Sequence, residues 1–213
     1  YFLYFFHTIH LRPSLFLPWP YDKISLSKLQ RKGGNTMILQ LLGASGAGKS
    51  TLAKALAQKT GLPHLQSDHY LWPDEKFDIP RPVEERRRML EEDLRRFPSF
   101  ILDGDVTRWF PAPPFTPDLL VLLRCPEKER MERLRQRETL RYGQWEDPRH
   151  PHHQLTQEFL EWAACYDTAG EEEPNSLCSH LQKIAQAPCP ALILWSESTE
   201  ALLRRVLGAA NLL

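Results

Sequence analysis

Apolar positions along this chain fall into short unbroken runs, separated by longer stretches in which they recur every three or four residues. Met37-Ile38-Leu39-Gln40-Leu41-Leu42 reads as a buried strand, and residues 51–59 read as a helix that Thr60-Gly61 ends. Residues 62–68 read as a short second strand running into a polar loop, which sets Asp68 at a strand's carboxyl end. Pro73, Pro80 and Pro82 punctuate a loop, and residues 83–97 form an amphipathic helix with Val83, Leu90, Leu94 and Phe97 on one face. Residues 100–105 are a third strand entering an acidic turn, and Leu119-Leu120-Val121-Leu122-Leu123 is a fourth, buried on both faces. The proline-rich stretch 111–114 between them is loop. Residues 126–142 and 154–166 read as helices, 189–195 as a last strand and 199–207 as a terminal helix. Strands alternating with helices predict an α/β fold with right-handed βαβ crossovers and a parallel sheet covered on both faces. Its ligand crevice lies outside the strands' carboxyl ends.

The turn between the first strand and the first helix carries the strongest chemical signal. Gly43-Ala44-Ser45-Gly46-Ala47-Gly48-Lys49-Ser50-Thr51 is a complete G-x-x-x-x-G-K-[ST] phosphate-binding loop with a second threonine after it. The glycines let backbone N–H groups turn inward around phosphates, Lys49 reaches the β- and γ-phosphates, and Ser50 offers its hydroxyl to Mg²⁺. The helix that follows aims its positive dipole end at the same place. ATP and Mg²⁺ are the cofactors this predicts.

Composition narrows the partners. The 213 residues suit one globular domain, and 27 Lys plus Arg balance 27 Asp plus Glu. Zero net charge argues against avid binding to nucleic acid or an anionic membrane, so phosphate chemistry must use local charge. Cys125, Cys165, Cys178 and Cys189 lie far apart with no C-x-x-C pair, which argues against zinc and redox motifs. No apolar run approaches a membrane span. The expectation is a cytoplasmic protein, monomeric or homodimeric, whose partners are ATP and a small-molecule acceptor. Residues 1–36 are compositionally foreign: Tyr1, Phe2, Tyr4, Phe5, Phe6, Phe16, Trp19 and Tyr21 crowd together without a sustained period. His7, His10, Arg12, Pro13 and Pro18 interrupt any secretory signal. Lys32-Gly33-Gly34 can be encoded by a purine-rich ribosome-binding sequence just upstream of Met37. Residues 1–36 are therefore expected to be a translated leader or disordered extension and 37–213 the domain, with an aromatic anchor or partner-binding arm as the other reading.

Two further sets converge on the crevice with the loop: the strand-end acids Asp68, Asp103 and Asp105, and arginines from the helix after the fourth strand. Asp103 follows an apolar triplet, where a carboxylate can hold the Mg²⁺ shell opposite Ser50; otherwise it is a turn residue before Gly104. Asp68 can orient or deprotonate an acceptor hydroxyl, or it is an N-cap or loop acid. Arg130, Arg133, Arg137 and Arg141 share one helical face, as a phosphate clamp or as a solvated stripe paired with Glu127, Glu129, Glu132 and Glu138. Arg108 contacts a substrate anion or a surface acid. His150, His152 and His153 lack metal-ligand spacing and read as loop, and Phe159, Trp162 and Tyr166 read as core.

Taken together, the chain resembles the small P-loop kinases of the adenylate kinase and shikimate kinase type, and within them the bacterial adenylate kinase-related proteins labelled topology modulation proteins or P-loop ATPases. Besides the loop, the residues that carry the resemblance are Leu71-Trp72-Pro73, Ile101-Leu102-Asp103-Gly104 with Arg108, Arg133-Leu134-Arg135-Gln136-Arg137 with Arg141-Tyr142-Gly143, and Glu158-Phe159-Leu160-Glu161-Trp162-Ala163 with Tyr166-Asp167. The resemblance implies a three-layer α/β/α fold, a five-stranded sheet in the order 2-3-1-4-5, a helical lid near residues 136–155 and an acceptor pocket around 68–96. It departs in one extra residue before Arg108 and in lacking an arginine near Asn175-Ser176.

Lys49, Asp68, Arg137 and Arg141 are thus the groups expected to act in catalysis. The loop with Arg133 is expected to hold ATP, Asp68, Asp103 and Arg108 the acceptor, and Ser50 with Asp103 the metal. The function expected is transfer of the γ-phosphate of Mg-ATP to a nucleotide or a small hydroxyl metabolite. A nucleotide-binding regulatory protein, associated with DNA or a partner and without a metabolite acceptor, is the alternative.

Overall fold

The computed structural model describes residues 36–73 and 79–212. The expectation for residues 1–36 falls, Thr36 apart, outside them. Five strands, β1 (Ile38–Leu42), β2 (His64–Gln66), β3 (Phe100–Asp103), β4 (Leu119–Arg124) and β5 (Ala191–Trp195), form one all-parallel sheet in the order β2-β3-β1-β4-β5. The helices are α1 (Lys49–Thr60), α2 (Ser67–Leu71), α3 (Val83–Arg96), α4 (Glu127–Tyr142), α5 (His153–Ala164), α6 (Leu177–Gln186) and α7 (Thr199–Ala209).

Side-chain alternation along the strands sorts these helices into layers. Leu39, Leu41, Ile101, Val121 and Leu123 point to one face, where they pack with Leu52 and Leu56 of α1 and Leu202 and Val206 of α7. The intervening residues point to the other face. There Phe100 and Leu102 meet Leu90 of α3 and Tyr70 of α2, and Leu42, Leu120 and Leu122 meet Ile184 of α6. This is the three-layer α/β/α arrangement expected. Helices α4 and α5 stand apart with a small core of their own, Met131, Leu134, Trp145, Leu160 and Ala163.

Two elements differ from the sequence reading. The polar loop expected at Asp68 is the short helix α2, entered directly from β2, so Asp68 lies in a helical first turn. Helix α6 is new: Ser176 caps it by accepting from the Ser179 N–H at 3.0 Å. Register brings β1, β2 and β3 to a common end, with Asp103 level with Leu41 and with Gln66. Among the described residues no helix is long and apolar enough to cross a membrane.

Candidate active site

Because β1 is the central strand, the loop after it opens at the middle of the sheet's carboxyl edge. Gly43 has φ 143°, and a Cβ there would collide with the carbonyl oxygen of Leu123 in β4, so only glycine lets the loop press against that strand. Lys49 opens α1, and its Nζ donates to the Ala44 carbonyl at 3.0 Å, crossing the loop from one rim to the other. No side chain caps α1 and no acidic residue stands in its first turn. Its N-terminal N–H groups are therefore left to an anion, and the cradle fits a polyphosphate.

The acids come next. Asp103 is 5% exposed at the end of β3. Burial works against its ionisation, but His64, whose Nε2 approaches Oδ2 at 3.7 Å, together with the Lys49 charge and the Ser50 hydroxyl outweighs burial and holds the carboxyl below its ordinary range. A hydroxyl and an ionised carboxylate side by side are the hard oxygen donors that Mg²⁺ takes, so Ser50 and Asp103 fit that metal. Gly104, at φ 109°, lies so close to Ser67 that any Cβ would strike it, and this approach sets the end of β3 against the start of α2. Gln40 secures the turn by donating to the Gly104 carbonyl at 3.0 Å. Asp68 consequently shares the crevice with Asp103. Its side chain is open to the crevice, yet the surrounding walls leave it poorly solvated. That desolvation, aided by the charge of Asp103, pushes its carboxyl above the ordinary range against the pull of Lys49, Arg137 and Arg141.

The arginine stripe of α4 divides into three parts. The charges of Arg137 and Arg141 lower the pKa of Asp68, while their guanidinium groups contact Glu138. Arg133 lies against the phosphate loop, donating to the Gly46 carbonyl at 3.3 Å and to Ser196 Oγ at 3.2 Å. Arg130 belongs to neither group. It is fully buried, bonded to the Ala163 carbonyl at 2.6 Å and to Asp167 at 2.9 Å, and it ties α4 to the end of α5. The four residues keep helical phase, but the stripe curves past different neighbours.

Arg108 is also placed differently from expectation. It donates to the Glu171 and Glu172 carbonyls, each at 3.1 Å, and holds the segment before α6 instead of acting on the crevice acids. It sits on the 3₁₀ turn Thr107–Trp109, beside that segment. His150 and His152 lie in the loop between α4 and α5, and His153 opens α5. Among the described residues no group of His, Cys, Asp or Glu could hold a metal by itself. Sequence reasoning missed His64, Lys183 and His180. Lys183 is ion-paired with Asp105. His180 is 1% exposed, with Nδ1 at 2.9 Å from the Tyr166 hydroxyl, and burial together with Lys49 lowers its pKa to about 4. Helix α6 carries both Lys183 and His180, and its Ser176 cap with Leu177, Leu181 and Ile184 at helical spacing was the signal available.

A family model described as an AAA domain matches residues 40–150, more than half of the chain. The chain belongs to that family. The matched span runs from β1 to the loop before α5 and contains the phosphate loop, both crevice acids and the α4 arginines. The chain is also 41% identical over 154 residues to the uncharacterized protein YqaC of Bacillus subtilis, covering 72% of this chain and 85% of that one. Solved structures of similar shape include a sugar kinase from Janibacter sp. at 21% identity and TM-score 0.46, covering 83% of this chain and 95% of that one. A shikimate kinase from Bacteroides thetaiotaomicron has 21% identity and TM-score 0.46, covering 82% of this chain and 98% of that one. A gluconokinase from Sinorhizobium meliloti has 17% identity and TM-score 0.45, covering 83% of this chain and 91% of that one.

Proposed function

We propose that this member of the AAA-domain family is a kinase that transfers the γ-phosphoryl group of Mg-ATP to a hydroxyl of a small molecule. What supports the reading is that Lys49, Asp103, Arg137 and Arg141, from three further elements, all act electrostatically on Asp68. Bound Mg-ATP supplies the activated phosphoryl group. Lys49 and the loop N–H groups hold its phosphates, and Ser50 and Asp103 hold the metal. Arg137 and Arg141 meet the charge that spreads over the transferring group, and arginines in this role are worth ~10³ to 10⁵ in rate. Asp68 faces the crevice with a raised pKa. It accepts the acceptor's hydroxyl proton and turns the oxygen toward the phosphorus.

Arg108 favours a hydroxyl acceptor over a nucleotide. An acceptor that brings its own phosphate needs a further cation, and the arginine expected to supply it is committed to the Glu171 and Glu172 carbonyls. The test is ADP release from Mg-ATP across a panel of polyols, sugars, hydroxy acids, nucleosides and nucleoside monophosphates, with Lys49→Ala as background. A hydroxyl compound should raise the rate well above that background. Stimulation by nucleoside monophosphates alone, or by nothing in the panel, would overturn the proposal.

A further inference from the structure

Glu138 is one of four glutamates that, in sequence, look like partners on a solvated helix face. In the structure it is 3% exposed. A carboxylate so covered cannot rely on water for its hydrogen bonds and must be satisfied by cations or donors. It has two. Arg137 reaches its Oε1 through Nε at 2.9 Å and through a terminal nitrogen at 2.8 Å, and Arg141 lies 3.5 Å from both carboxylate oxygens.

The Arg137 contact is not one that helix geometry provides. Consecutive residues on a helix point about 100° apart and do not face each other, so Arg137 must fold back along α4 to reach its neighbour. The ring of Phe159 on α5, 5.3 Å from the guanidinium carbon, supports it from another side. The side chains of Arg137 and Arg141 remain 45% and 29% exposed, and both lower the pKa of Asp68. Their charge is therefore felt at Asp68, while their positions are set by Glu138 and, for Arg137, by Phe159.

We infer that Glu138 is a positioning residue that holds Arg137 and Arg141 together as a two-guanidinium clamp aimed at the transferring phosphoryl group. The inference rests on the kinase reading above for what the clamp binds. A fixed pair meets transition-state charge without reorganising, whereas free arginines must first be ordered.

The test uses the full chain with Glu138→Gln, which keeps shape and one acceptor oxygen and removes the charge. Arginine Nε–H signals in the nucleotide-free protein should show Arg137 ordered in the parent and averaged in the variant, with Arg130 unchanged. In the acceptor-stimulated assay kcat should fall about tenfold while KM for ATP stays within about twofold, and Glu138→Asp should recover part of the loss. If Arg137 stays ordered in Glu138→Gln, or if kcat is unchanged, the positioning role is wrong. Should Glu138→Gln fail to fold, Phe159→Leu loosens the same clamp from α5, and undiminished order of Arg137 there would refute it equally. If the parent shows no acceptor-stimulated turnover, the kinase reading fails by itself, and the arginine signals still decide the role of Glu138.

Discussion

Replacing Asp68 by Asn separates chemistry from stability at one position. The substitution keeps the size of the side chain and removes its ability to take a proton. General-base assistance contributes about 10²- to 10⁴-fold, or roughly 2.7 to 5.5 kcal/mol of barrier, and kcat with a hydroxyl acceptor should fall by that order. KM for ATP should move little, because the phosphate loop and Lys49 are untouched. Stability should move the other way. Desolvation, with Asp103 nearby, raises the Asp68 pKa in the folded protein, so the folded state holds this proton more tightly than the unfolded chain does. Its contribution to stability is therefore full below the unfolded pKa and is lost as pH rises through the raised folded value. At neutral pH the ionised group burdens the fold, and Asp68→Asn should melt no lower than the parent. The acid limb that Asp68 contributes to kcat should disappear in the variant's residual activity. The assays are steady-state ADP release from pH 5 to 8 and thermal melts at pH 7. A variant that keeps kcat within threefold, or that melts markedly lower, would refute the assignment of Asp68 as an underpartnered base.

Three other outcomes follow from the geometry. His180 has its pKa lowered from 6.5 to about 4, so the unfolded chain binds the extra proton first and stability declines as pH falls from 6.5 to 4; urea unfolding should show the parent losing about 3 kcal/mol more than His180→Gln between pH 7 and 4. Arg130→Ala removes the bonds to the Ala163 carbonyl and Asp167 and empties a fully enclosed site, so it should cost about 2 to 5 kcal/mol by denaturant unfolding while the folded fraction keeps its KM for ATP. Gly104→Ala forces a Cβ into Ser67 at a positive φ, which should cost about 1 to 3 kcal/mol and weaken Mg²⁺-dependent nucleotide binding, measured by titration calorimetry, because Asp103 is displaced with the turn.

The order of the elements was legible because each strand of the sheet's centre is a nearly pure apolar run, and because the phosphate loop marks where the first strand hands over to a helix. What the sequence concealed depended on tertiary neighbours. Helix α2 has five residues, too few to show a period, and it is set by the contact of Gly104 with Ser67. Helix α6 follows the acidic run Glu171, Glu172 and Glu173 and then Pro174, and its apolar stripe is only three residues long. The arginine stripe had the right phase but three different fates, since phase says which residues share a face and nothing about what that face meets along its length. In sequence Glu138 reads as a partner on a solvated face and Arg130 as part of that face or of a phosphate clamp, and only the folded structure reveals that both are enclosed.

The apolar centre shared by α4 and α5 divides the molecule in a way that bears on its ancestry. Met131, Trp145, Leu160 and Ala163 cluster together apart from the sheet, and Leu134 alone of this core also lies against Gly46 of the phosphate loop, so substitutions among the other four are absorbed within the helical pair. Arg130 is the seam at its base. Selection can therefore retune the pair that carries Arg137 and Arg141 while the strands and phosphate loop stay fixed, and lineages sharing one nucleotide-holding frame can drift apart in how they treat the group being transferred.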